Sequence, residues 1–261
     1  MVKVKEIAES IEAFAPTDLQ ESYDNAGLQV GDPEMGVTAV LLCLDVTEDV
    51  LKEALQRECN MIVSHHPLIF KGVKQLIGAD TTQRLLIEAL KHNIAVYSAH
   101  TNLDSVWDGV SHEIARRLSV KDLQVLQPQP SNPKAGLGVV GNIKPVPKIE
   151  FLRKIKEKFH VAALRYSAQS PALVVRRVAV CGGAGASLIS SAISAKADIL
   201  VTGDVKYHDF TSYGSDIIIA DIGHYESELC SREILSRVIR EKFPDLTLYF
   251  SDSETNPIKI L

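Results

Sequence analysis

The chain has 261 residues, 46% hydrophobic and 23% charged, a globular balance with length for one large α/β domain or two small ones. Its net charge of −5 argues against a nucleic-acid surface, and the basic run from Lys148 to Lys158 falls on a predicted helix as a solvated face. No apolar stretch approaches the roughly 20 residues that span a bilayer, and no signal-peptide core opens the chain, so a cytoplasmic protein is expected.

Val4, Ile7, Ala8, Ile11 and Phe14 recur at helical spacing, and Pro16 closes that first helix. Residues 23–32 read as a loop. A strand from Ala39 to Leu44 ends at Asp45, and a helix from about Thr47 to Cys59 carries acids in its first turn, as the helix dipole favours. The strand Met61 to Ser64 runs into His65-His66-Pro67. A helix over about Thr81 to Lys91, a strand from Ile94 to Ser98 and a short helix from about Gly109 to Leu118 follow.

Residues 127–133 hold three prolines and are the best candidate linker, giving expected lobes of 1–126 and 127–261. Beyond lie a strand over Gly136 to Ile143, a helix from Pro147 to Phe159 and a strand over Ala162 to Tyr166. The strand Arg177 to Cys181 enters the glycine-rich turn Gly182 to Ser187, which leads into a small-residue helix ending at Ala197. Strands at Ile199 to Thr202 and Ile217 to Ala220, a long helix from about Tyr225 to Phe243 and a last strand at Leu246 to Phe250 complete the chain. The halves echo each other as a weak pseudo-repeat, and strands alternating with helices imply a largely parallel sheet in each.

Several strand-like runs end in residues that bind metals. Besides His65 and His66, these are His100 and Asp104, Asp204 after Gly203, and His224 after Asp221. Ligands in open α/β sheets collect beyond the carboxyl ends of strands, so convergence on one site is the economical reading. His224 and Glu228 stand four apart at a helix mouth and share a face, although Glu228 there also suits the dipole. Neighbouring residues leaving a strand point to opposite sides, so His65 and His66 serve two metals more naturally than one. Asp104 can supply an oxygen ligand, or else cap the helix near Gly109 or close an Asx turn. His100 suits an acid–base role. Three histidines and two carboxylates fit Zn, Fe or Mn, and five ligands suit two ions sharing a carboxylate. The alternative for each residue is a solvated loop or a helix cap. Asp204, Lys206, His208 and Asp209 form a second polar tip, either substrate-facing or solvated, and Gly182 to Ser187 favours a tight turn over a phosphate loop. Cys43, Cys59, Cys181 and Cys230 form no CxxC pair, which disfavours a zinc finger or disulfide framework.

Five blocks carry a resemblance: residues 23–31, Ser64-His65-His66-Pro67, residues 99–104, Thr202-Gly203-Asp204 and residues 223–228. In order and over nearly the whole chain, they resemble the signatures of the Nif-three-like family of dinuclear-metal hexameric proteins, often labelled GTP cyclohydrolase type-two homologues. The resemblance implies two interwoven α/β lobes with mixed, largely parallel sheets, a metal site between them, and a ring-shaped homohexamer whose metals face an internal cavity. By that resemblance one ion takes His66 and Asp104, the other His65 and His224, with Glu228 bridging; His100 lies close by as the catalytic candidate, and the Gly182 to Ser187 turn matches the family's glycine-rich segment. Asn25, Asp204 and His208 are the candidate substrate-facing residues. The short link between Leu126 and Arg177 resembles the compact members that lack an inserted domain. The expected function is metal-dependent hydrolysis of a nucleotide or related small molecule, with two divalent ions (Zn, Fe or Mn) per subunit and GTP ring opening among the candidate reactions. The alternative is a non-catalytic metal-binding ring or interaction scaffold.

Overall fold

The computed structural model describes residues 1–130 and 132–261. The chain forms two compact units, one of Met1–Leu103 with Ser231–Thr255 and one of Asp104–Cys230 with Asn256–Leu261. It lays down β1 (Gly27–Val30), β2 (Ala39–Cys43), β3 (Met61–Ser64) and β4 (Ala95–Ser98) in the first unit. The second unit then receives β5 (Lys121–Gln129), β6 (Asn132–Pro147), β7 (Arg165–Tyr166), β8 (Val174–Ala184), β9 (Ile199–Gly203) and β10 (Ile218–Asp221). The chain finally returns to the first with β11 (Thr247–Phe250). The lobes are interwoven in this sense.

Among the described residues the first sheet runs β1-β4-β3-β2-β11, parallel throughout except where β1 meets β4. Every residue of β2, β3 and β4 is buried, the mark of strands covered on both faces, and their runs Ala-Val-Leu-Leu-Cys and Met-Ile-Val-Ser need no polar alternation. Helices Glu48–Gln56 and Thr81–Lys91 cover one face. Thr47 Oγ1 accepts from Val50 N at 3.2 Å and Asp80 Oδ1 from Gln83 N at 2.8 Å, so both helices start at a side-chain cap. Ser64 of β3 pairs in register with Ser98 of β4, so His65 and His100 leave neighbouring strands at the same sheet end.

The second sheet runs β5-β6-β8-β9-β10-β7 among the described residues and is mixed. β8–β9 and β9–β10 are parallel, and the other neighbours are antiparallel. Thr202 pairs with Asp221 across β9 and β10, which sets Asp204 and the approach to His224 at adjacent carboxyl ends.

Four expectations need correction. The predicted loop 23–32 contains β1, whose four residues are too few to show a period. The helix expected from Tyr225 to Phe243 is two, His224–Glu228 and Ser231–Lys242, with Ser231 beginning the return to the first unit. Asp104 lies inside a short helix, Thr101–Ser105, and Gly109 rather than Asp104 caps the following helix Val110–Arg117. Residue 131, inside the predicted linker, lies outside the described residues, but 127–129 belong to β5 and 132–133 to β6, an antiparallel hairpin. β5 is an edge strand, where proline costs no ladder bond, so a proline-rich run there is no sign of a linker. The compact units divide after Leu103, after Cys230 and after Thr255, where the sequence suggested a single boundary at 126.

Candidate metal centre

In the first unit, three imidazoles stand at the carboxyl ends of β3 and β4. The ring centroids of His65, His66 and His100 form a near-equilateral triangle with sides of 5.2, 5.4 and 5.4 Å. Each ring is held through the same atom. His65 Nδ1 donates to the Ala99 carbonyl at 2.7 Å, His66 Nδ1 to Asp45 Oδ1 at 2.8 Å, and His100 Nδ1 to Asp24 Oδ1 at 2.7 Å. A carbonyl or carboxylate can only accept, so the proton of each neutral ring sits on Nδ1 and the lone pair on Nε2. This is a tautomer in which a histidine ligates a metal through Nε2, fixed by an outer oxygen partner.

Of the two carboxylate partners Asp24 is the more enclosed, its side chain fully buried beside His100. Its carboxylate also accepts from Thr101 N and Asn25 N and from the Thr101 hydroxyl. Burial pushes its pKa up, but the hydrogen bonds from His100 and Thr101 outweigh burial and hold it far below the carboxylate range. A permanent anion therefore lies behind His100.

The second unit presents a carboxylate and an imidazole at the ends of β8, β9 and β10. His224 Nδ1 donates to Asp204 Oδ2 at 2.8 Å, and its Nε2 lies 2.8 Å from Glu228 Oε2, one helical turn on. Glu228 is buried against the end of β8, where Gly183 has φ +60°; a Cβ there would lie 2.0 Å from Glu228 Oε1. Only glycine leaves room for this carboxylate. Gly183 N also donates to Ser227 Oγ at 2.9 Å, and Thr202 Oγ1 donates to Gly183 O at 3.0 Å, so the cradle is fastened on both sides. Burial, then the charges of Asp104 and Glu228, raise the Cys181 thiol far above its usual range, which keeps it out of thiolate chemistry.

The substrate candidates have other placements. Asn25 Nδ2 donates to Ile69 O at 2.6 Å, so it anchors the segment after His66. Asp204 orients His224, and His208 sits exposed on the helix Tyr207–Tyr213 with its ring against Tyr207. Sequence reading passed over Asp45 and Asp24 as functional residues, and took Gly183 only as part of a tight turn. Each follows or precedes a strand end, and a carboxylate or glycine at such a place was the available signal.

The donor chemistry suits a divalent metal. The model of the Duf34/NIF3 (NGG1p interacting factor 3) family matches residues 2–257. The chain belongs to the Duf34/NIF3 family. A relative from Clostridium acetobutylicum, named GTP cyclohydrolase 1 type 2 homolog, is 36% identical over 239 residues, 90% of this chain and 89% of its own. One of the same name from Clostridium perfringens is 33% identical to this Duf34/NIF3 protein over the whole of both chains. Among solved structures, Staphylococcus aureus protein SA1388 superposes with a TM-score of 0.90 at 26% identity, covering 100% of this chain and 99% of its own. Among the described residues no helix is long and apolar enough to cross a membrane.

Proposed function

We propose that the chain is a metal-dependent hydrolase of a nucleotide or related small molecule, with two divalent ions (Zn, Fe or Mn) held by His65, His66, Asp104, His224 and Glu228. His65, His66 and Glu228 are the core of this proposed centre. The observation that carries the reading is the common tautomer of the three imidazoles, each turned by an oxygen partner on Nδ1 so that Nε2 is the ligating or basic atom. The Gly183 cradle also supports it, since it gives Glu228 a fixed carboxylate position. Bound there, the ions would supply Lewis-acid polarisation of water and substrate.

His100 is the proton carrier in this reading. Its Nε2 takes a proton from the attacking water, and the imidazolium that forms is stabilised by the Asp24 carboxylate on Nδ1. The same proton then passes to the leaving group. The relatives' name suggests GTP as the first substrate to try. We further propose a cytoplasmic ring of six chains.

Elemental analysis of protein purified without added metal, followed by turnover of GTP and a panel of nucleotides and phosphoesters, tests the reading. About two equivalents per chain and turnover abolished by chelation, by His65→Ala and by His100→Ala are expected. Two equivalents with no turnover on any substrate would favour the metal-holding scaffold instead. Light scattering should give six times the mass of 28.6 kDa.

A further inference from the structure

Between His66 and the helix Thr81–Lys91 the chain runs through residues 67–80 without forming a helix or strand. Irregular segments of that length in compact proteins commonly serve binding. This one walls a cavity of about 700 Å³ that begins at Pro67, the residue after His66, and includes Phe70, Lys71, Lys74, Gln75 and Asp80. The volume is that of a small-molecule site.

Three features of the wall point to one kind of ligand. First, its charges are unbalanced. Among the described residues no ion-pair partner is found for Lys71 or Lys74, whereas Asp80 is engaged twice with Gln83, at 2.8 and 3.0 Å. Two uncommitted ammonium groups in one cavity, on a chain of net charge −5, favour an anion. Second, Phe70 is 46% exposed, with its ring 6.2 Å from that of His100 and 6.4 Å from that of Tyr23. An exposed aromatic edge beside the imidazole triangle offers a stacking surface for a planar ring. Third, the segment is anchored next to Phe70: Asn25 Nδ2 donates to Ile69 O at 2.6 Å and Ile69 N to Gln29 Oε1 at 2.7 Å. The aromatic wall is thereby held in place relative to His100.

We propose that this cavity is the substrate's tail subsite, taking an aromatic small molecule whose anionic, phosphate-like tail lies on Lys71 and Lys74 while its ring rests on Phe70. The inference rests on the hydrolase reading for where the reacting end of that molecule goes. Lys71 and Lys74 are specificity residues here, and Asn25 positions the wall through Ile69 rather than contacting substrate.

Calorimetric titration of the purified, metal-analysed protein with GTP and with guanosine tests it. GTP should bind at least ten-fold more tightly than guanosine. The double variant Lys71→Ala/Lys74→Ala should lose that advantage while keeping its metal content, its melting temperature and its weak affinity for guanosine. Lys71→Arg/Lys74→Arg should restore tight binding, and Phe70→Ala should weaken both ligands. Unchanged GTP affinity in the double alanine variant, guanosine binding as tightly as GTP, or no binding of GTP would each overturn the proposal. Lysine-dependent GTP binding without turnover would count against the hydrolase reading alone. Turnover that ignores both lysines would count against the subsite alone.

Discussion

Asp24, Asp45 and the Ala99 carbonyl choose the nitrogen that each imidazole of the triangle turns outward, and the two carboxylates can be tested one at a time. Asp45→Asn removes the charge behind His66, so metal affinity should fall about 10- to 100-fold in a chelator competition. Asp24→Asn acts behind His100 and should leave the metal content near wild type while lowering kcat, since the imidazolium loses its counter-charge. Equal effects of both variants on metal content would show that His100 also ligates. Gly183 makes a different prediction. Gly183→Ala adds a methyl 2.0 Å from Glu228 Oε1 at a backbone angle that only glycine adopts easily. Together these should cost about 2–3 kcal/mol in a denaturant titration and displace the carboxylate enough to reduce bound metal.

The helix Glu48–Gln56 is tied to the distant segment after β11 through one buried carboxylate. Glu53 accepts from Ser251 Oγ at 2.7 Å and from Asp252 N and Ser253 N at 3.0 Å each. Burial pushes its pKa up, but the bonds from Ser251, Asp252 and Ser253 prevail and hold it at about 2, below an ordinary value of 4.5. A depressed pKa stabilises the fold fully above the unfolded value, so this contribution should be intact at neutral pH and vanish as pH falls from about 4.5 to 2. Glu53→Gln should cost on the order of 3 kcal/mol at pH 7 and flatten the stability slope across that acid window. Such elements differ in how far sequence shows them. β2, β3 and the helix Thr81–Lys91 are legible because an apolar run or a 3.6-residue period is bounded by a capping or polar residue. β1 is not, because its four residues pair antiparallel through Gly27 and hide among turn-forming neighbours. Nor is the break at Leu229–Cys230 visible, since the apolar stripe of Ser231–Lys242 continues the earlier period. Among site residues, His65, His66, His100 and His224 announce themselves at strand ends. Asp24 and Asp45 do not, because an orienting carboxylate is recognised by the ring it meets in space rather than by spacing.

At the scale of the whole molecule, bound ions would act as ligands of the native state alone, so chelation should lower the melting temperature by several degrees and re-addition of Zn, Mn or Fe should restore it. A melting curve indifferent to chelator, on protein shown to carry metal, would mean that the ions bind folded and unfolded chains alike. Chain order has its own effect on assembly. Residues 231–255 close a unit begun at Met1: β11 pairs in parallel with β2, and the helix Ser231–Lys242 packs against the helix Val4–Phe14. Once the first 230 residues have been synthesised, every strand of the later-starting unit has therefore been made, while the earlier-starting one still lacks the β11 partner of Ala39–Cys43. The sheet begun first thus receives its last strand second, and a stalled or truncated product would be sticky at its oldest end.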